Sequence, residues 1–221
     1  MAQLDFINSM HNRVRRDYRQ RVIEHDKAEC ATVARRYGEE YWDGDRRYGY
    51  GGYRYDGRWR GLADQLVAHW GLRPGQRVLD VGCGKGYLLY ELGQAASGLE
   101  LVGLDVSTYA LERGKPELAG RFVAGDAARL PFADDSFDAV VSITTLHNLG
   151  LGDARSAFAE MQRVAPKPTK YVCVESWRTE SEKANLLYWQ LTCQSFHKPE
   201  DWRCLADMAG YQGDLGFIYF E

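Results

Sequence analysis

No two cysteines of this chain stand in a C-x-x-C pair. The five, Cys30, Cys83, Cys173, Cys193 and Cys204, are odd in number and scattered. That excludes a zinc-ribbon spacing and a disulfide framework, and a reducing cytoplasm is the expected compartment. No apolar run is long enough to span a bilayer, so no membrane partner is expected. The opening stretch MAQLDFINSMHNRVRR lacks the apolar core and small-residue cleavage site of a signal peptide. Excess positive charge is missing too: 28 Lys and Arg face 31 Asp and Glu, a net charge of −3, and nothing global points to nucleic acid. The adjacent acids Asp134 and Asp135 read as solvated caps of a turn, and no metal is expected. What is present, 221 residues of which 45% are hydrophobic, suffices for one α/β domain with a sizeable core and an appended segment.

The chain is organised around RVLDVGCGKG, residues 77–86. Val78, Leu79 and Val81 read as a short buried strand. Gly82, Gly84 and Gly86 follow at alternate positions, and a helix is expected over 87–95. A strand that ends in glycines before a helix is a turn where backbone comes close to a ligand. Asp80, in the strand, can order the loop amides and attract a cationic group. The dinucleotide fingerprint G-x-G-x-x-G is absent, because Tyr87 stands where its third glycine belongs. The pattern is D-x-G-x-G-x-G, with Cys83 between the first two glycines. This stretch resembles motif I of the class I S-adenosylmethionine (SAM) dependent methyltransferases.

Downstream residues extend the resemblance. A second strand ends at Asp105, where a carboxylate can accept two charge-assisted bonds from a ribose diol; Val106 is counted beside it as a cofactor contact. Ser107 is the expected N-cap of a short helix over 108–113. A third strand, 122–124, leads into Gly125-Asp126-Ala127. The resemblance implies that Asp126 accepts from the adenine amine and that the Ala127 amide donates to the ring, with Leu130-Pro131-Phe132 as a wall. A fourth strand is expected over 139–143, with Ser142 among the cofactor contacts.

The reacting end follows at Thr144, Thr145, Leu146, His147 and Asn148. It lacks N-P-P-Y, D-P-P-Y, a Pro-Cys dipeptide and a paired-glutamate loop, which mark the nucleic-acid, glutamine and arginine methyltransferases. His147 is the first candidate for a general base; Tyr53 and His25 are weaker ones. The alternative for His147 is a cap or a bond to neighbouring backbone.

The flanks are this chain's own equipment. Residues 1 to about 36 read as helical, with Leu4, Ile7, Met10, Val14, Tyr18 and Val22 on one stripe and Arg13, Arg15, Arg16, Arg19 and Arg21 on the other face. That face is solvated or meets an acidic or phosphate-bearing substrate. Residues 41–59, with their tyrosines and glycines, read as an ordered loop near the cofactor mouth. Arg54 or Arg58 there can pair with the cofactor's carboxylate, or simply staple the loop. Further helices are expected over 58–70, 153–164, 179–196 and 199–210, and strands over 171–175 and 217–221, a seventh strand being in doubt.

The expected fold is therefore α/β: a doubly wound, mostly parallel Rossmann-like methyltransferase sheet with an N-terminal helical and aromatic lid. Residues 1–59 form the lid segment and 60–221 the SAM-binding domain, with 177–196 as a helical substrate insertion. The resemblance implies in-line transfer of the methyl of SAM to O, N or C of a small molecule, leaving S-adenosylhomocysteine (SAH). A catalytically silent SAM-binding regulator, a methyltransferase for protein or RNA, and a nicotinamide oxidoreductase are the alternatives. Oligomeric state is left open, a homodimer being the assembly to look for.

Overall fold

Side-chain alternation decides the sheet. Along β1 (Arg77–Val81), Leu79 and Val81 join one apolar cluster and Val78 another, and all three are fully buried. A strand covered on both faces must lie between two helical layers. The computed structural model describes residues 1–7 and 17–221. Its helices are α1 (Tyr18–Glu24), α2 (Lys27–Ala34), α3 (Glu39–Trp42), α4 (Arg60–Trp70), α5 (Tyr87–Ala95), α6 (Thr108–Glu112), α7 (Leu151–Val164), α8 (Glu180–Trp189) and α9 (Pro199–Met208). The other strands are β2 (Glu100–Asp105), β3 (Phe122–Ala124), β4 (Ala139–Ile143), β5 (Lys170–Glu175) and β6 (Asp214–Ile218). All ladders are parallel and the order is β3-β2-β1-β4-β5-β6. This is the expected Rossmann-like sheet. The order reverses between β1 and β4, where the strand ends open a crevice.

Phe158 and Met161 of α7 and Trp202 and Leu205 of α9 pack on one face. Leu62 and Leu66 of α4, Leu89 and Leu92 of α5 and Leu186 of α8 pack on the other. The helices are thus fixed by burial, and the strand ends that carry the site stay free of them.

The flanks depart from expectation. Residues 2–4 are not helical but run beside β6: the Leu4 amide donates to the Leu215 carbonyl at 2.9 Å, and the Leu215 amide to the Ala2 carbonyl at 3.0 Å. They cover the outer edge of the sheet, where unpaired backbone groups would otherwise face solvent. Among the described residues no seventh strand forms. The helical stretch is broken at His25 and Asp26, and Asp17 and Asp26 each accept from an amide three residues on as N-caps. Met10, Val14, Arg13, Arg15 and Arg16 lie outside the described residues. The last strand comes earlier than expected, and Tyr219 and Phe220 leave it to bury their rings. The insertion helix stops at Trp189 rather than near Phe196.

Candidate active site

The glycine turn is shaped by its neighbours. Gly82 has φ +82°, and a Cβ there would fall 2.0 Å from the Thr145 hydroxyl. Gly84 has φ +54°, and its Cβ would meet the Trp42 ring at 2.8 Å. L-residues rarely adopt such φ, and here they would also lack room. The Gly82 and Cys83 amides donate to the Leu104 carbonyl. The Gly84 amide donates to Asp105 Oδ2 at 2.7 Å, and the Ser107 amide to Asp105 Oδ1 at 2.8 Å. Asp105, rather than Asp80, is therefore the carboxylate that orders the loop. Asp80 is buried, and its carboxyl is pushed up to about 8 by burial and then by the charge of Asp105. Burial also raises Asp105, against the pull of its backbone bonds. Asp126, just past β3, is exposed and accepts from the Ala128 amide at 2.9 Å. The three acids thus stand at or just beyond the C-terminal halves of three neighbouring strands.

An aromatic cover lies over this turn. Trp42 stacks on Tyr50 at 5.2 Å, Tyr50 meets Tyr53 at 4.5 Å, and Tyr53 stacks on Tyr87 at 4.9 Å. The Trp42 indole N–H donates to the Ser107 hydroxyl at 2.9 Å. Below it, Lys85 of the glycine turn holds both oxygens of Asp43 at 2.7 Å and the Tyr53 carbonyl at 2.9 Å. The Tyr109 hydroxyl donates to Asp43 Oδ2 at 3.0 Å. Burial would raise the Asp43 carboxyl, but the Lys85 and Tyr109 bonds outweigh it and hold it below its ordinary value. The space left between cover and turn, bordered by Asp80, Gly82, Gly84 and Trp42, is about 40 Å³.

A larger cavity of about 300 Å³ adjoins it. Thr144, His147, Asn148 and Glu175, from the ends of β4 and β5, line one side; Tyr41, Tyr50, Tyr53 and Trp59 line another; Arg21, Arg46 and Trp189 close the far end. Thr144 has φ +54°. A β-branched residue there is strained by about 1–3 kcal/mol, and it borders both spaces.

Residues 78–167 match a family described as a methyltransferase domain. A demethylmenaquinone methyltransferase of Roseiflexus castenholzii is 40% identical over 116 residues, 51% of this chain and 48% of that protein. A cycloartenol-C-24-methyltransferase of Arabidopsis thaliana is 35% identical over 148 residues, 59% of this chain and 43% of that protein. Over this matched region the chain is similar to methyltransferases, in keeping with the D-x-G-x-G-x-G stretch that it contains. It spans about half the length of the curated relatives it matches. The YcgJ protein of Bacillus subtilis shares the fold, with a TM-score of 0.58 and 22% identity over 70% of this chain and 68% of that one. So does the [4+2]-cyclase SpnF, with a TM-score of 0.56 and 22% identity over 68% of this chain and 56% of that one.

The expected cofactor contacts are only partly brought to one space: Asp105, Val106, Asp126 and Ala127 are not among the residues that line it. Gly82, Cys83 and Gly84 border the small space with Asp80, Val106 is 63% exposed beside Asp105, and Ala127 is buried behind Asp126. Ser142 needs correction as a cofactor contact: it is fully buried, and its hydroxyl donates across the sheet to the Val81 carbonyl at 2.8 Å. Arg58 lines the larger cavity, but its guanidinium is clasped by Asp56, Nε lying 2.8 and 2.9 Å from the two oxygens. In this structure it serves the loop rather than a cofactor carboxylate.

The two candidate bases are also occupied. Nδ1 of His147 accepts from the Glu175 amide at 3.2 Å, so the ring proton sits on Nε2, which lies 3.4 Å from Glu175 Oε2. Burial outweighs that carboxylate and pushes the imidazole down to about 3. A neutral ring with its one lone pair engaged has none left for an acceptor. The Tyr53 hydroxyl accepts from the Trp59 indole at 3.2 Å, and burial, followed by Tyr50, raises it well above a phenol's ordinary value. His25 ends α1 and lines a separate small cavity with Lys27 and Cys30. Asp43, Lys85, Glu175 and Trp189 were not legible as site residues. Only opposite charges 42 positions apart hinted at the first pair, and nothing in the linear chain brings them together.

Proposed function

We propose that the protein moves a methyl group from SAM to a small-molecule acceptor, with SAH as the product. The observation that carries this is the adjacency of the two spaces, which share Tyr50, Tyr53, Trp59, Ile143 and Thr144 as a common wall. One space is bordered by the glycine turn and the other by side chains from several distant segments, as a donor site beside an acceptor site requires. The names of the quinone and sterol methyltransferases it resembles support a small-molecule acceptor.

The glycine turn supports a cofactor here, because Gly82, Cys83 and Gly84 border the small space beside Asp80. Asp80, Asp105 and the amides of the turn would hold it, with Asp126 and Val106 toward its adenine. When bound, SAM contributes a methyl already activated by a sulfonium. The electron-rich faces of Tyr50, Tyr53 and Trp59 favour a cation at the shared wall. They also exclude water there. Alignment of reactants is worth about 7–11 kcal/mol, and that is the main task of this wall. Where an acceptor must lose a proton, Glu175 is the carboxylate in the cavity. His147, which touches Glu175 by backbone and ring, positions it.

Ligand sites typically run about 300–1,000 Å³, so about 40 Å³ under Trp42 is too little for the cofactor. That supports an aromatic cover that lifts for entry. Calorimetric titration with SAH tests the donor half; no heat at about millimolar concentration ends the reading. Incubation with SAM and a small-molecule panel tests the second half. SAH formed in step with a methylated product supports transfer, and tight binding without any turnover supports the silent regulator instead.

A further inference from the structure

The far end of the larger cavity is cationic. The Arg21 guanidinium lies 4.7 Å from the centre of the Trp189 ring, and that of Arg46 lies 5.2 Å from it. Among the described residues, Arg21 Nη2 reaches a backbone carbonyl, that of Arg47 at 3.4 Å. Its Nε is buried and has no hydrogen-bond partner among the described residues. Among those residues no carboxylate pairs with Arg21 either, and residues 8–16 contain no Asp or Glu. Stacking on an indole offsets part of the cost of a desolvated guanidinium, about 0.5–2 kcal/mol. It does not offset two like charges held against one ring. That repulsion, after burial, pushes Arg21 below its ordinary value.

We infer that this cavity takes a small acceptor bearing a carboxylate or phosphate, held at the far end by Arg21 and Arg46 beside Trp189. The inference rests on the reading of the cavity as the acceptor site, and names the class of molecule it admits. A guanidinium matches either anion with two parallel N–H bonds, and the vacant Nε of Arg21 is one such donor. A wholly apolar acceptor would leave the buried Nε of Arg21 without a partner. Anchored at Trp189, the molecule extends toward Thr144 and Tyr53, where the donor space begins. Arg21 comes from α1, Arg46 from the aromatic segment and Trp189 from α8, so these three segments, all outside the matched family region, set specificity.

The test is calorimetric and needs no turnover. SAH-loaded protein is titrated with benzoate, phenyl phosphate and benzamide, which share a ring and differ in charge. One of the two anions binds about tenfold tighter than benzamide, and which one does so identifies the group. Arg21→Gln and Arg46→Gln each cut that preference about fivefold and leave SAH affinity unchanged. Arg21→Lys, which retains the charge, loses less and serves if Arg21→Gln fails to fold. Equal binding of benzamide overturns the inference, as does failure of all three probes to bind at about 10 mM. Unchanged preference in both variants overturns it too. Loss of SAH affinity with the probes unaffected also overturns it, since the arginines would then hold the cofactor. If SAH fails to bind wild-type protein while the anion preference stands, the methyltransferase reading falls and the anion site survives.

Discussion

The two halves of the cleft are built from different material. The floor of the proposed donor half is made largely by backbone, under the aromatic cover of Trp42, Tyr50 and Tyr53. Its amides, the Leu104 carbonyl and the Asp105 carboxylate all come from residues 78–107, within the matched family region. The proposed acceptor half is made by side chains: Thr144, His147 and Asn148 come from that region, while Arg21, Arg46, Glu175 and Trp189 lie outside it. A backbone-made floor depends on a few local φ values, so it is compact in sequence. A side-chain-made site needs only that distant segments meet, so it can diverge freely on the same sheet.

The harshest way to break this comparison is Gly82→Ala. The methyl would sit 2.0 Å from Thr145 Oγ1 at φ +82°, and the left-handed backbone alone costs about 1–2 kcal/mol. SAH affinity falls by more than about a hundredfold in a calorimetric titration, while benzoate binding in the other half changes less than about twofold. A variant that keeps SAH affinity within about threefold would falsify the backbone-made description.

Acidity sharpens the same contrast. Asp80 is pushed up to about 8, by burial first and Asp105 second, whereas an unfolded aspartate titrates at about 3.9. Between those values the folded chain holds a proton that the unfolded chain has lost, so this residue makes stability fall as pH rises. A cationic ligand needs the ionised form. SAM affinity therefore rises about tenfold per pH unit below 8 and then levels, with proton release visible as a buffer-dependent heat. Asp80→Asn flattens the profile. A wild-type profile already flat from pH 6 to 8 would show that Asp80 is ionised in the empty cleft or does not face the ligand.

The same division explains what the chain disclosed before folding. Motif spacing placed β1, the glycine turn, Asp105 and Asp126, because those are local facts about strands, turns and φ. It misassigned the ordering of the turn to Asp80, since alternation says that a carboxylate is near the loop but not which one faces its amides. It gave Ser142 to the cofactor because the side of β4 that it faces is set by packing across to Val81. It read residues 1–36 as one helix from an apolar stripe, yet Leu4 is drawn to the open edge of β6 and Asp26 caps a new start. The ordered aromatic loop was legible from ring content alone. The pair of Lys85 with Asp43 that holds it down was not, because a long-range ion pair leaves no local period.

Asp43→Asn loosens the cover and sets the halves against each other with opposite signs. It removes the charge partner of Lys85, and a hydrogen bond to a charged group is worth about 1.5–3 kcal/mol. Urea unfolding should register a loss of about 2 kcal/mol. Because Trp42 fills the space over Gly84, a cover that opens more often raises the fraction of competent molecules, and SAH associates several-fold faster in stopped flow. Slower or unchanged association, with the stability loss present, would mean that the cover does not limit entry.

The smallest effect belongs to His147, which lines only the larger cavity. Its imidazole is pushed down to about 3 by burial, with Nδ1 taking the Glu175 amide and Nε2 turned to the Glu175 carboxylate. The unfolded chain takes up that proton at about 6.5, so the residue's contribution to stability is lost as pH falls from 6.5 toward 3. No such loss occurs above pH 7. Ring signals of His147 in a proton–carbon correlation spectrum stay fixed between pH 5 and 8, and His147→Gln leaves SAH affinity within about twofold. An imidazole that titrates with a midpoint near 6.5 would return it to the role of base. Glu175 would then be its charge partner rather than the group that receives the acceptor's proton.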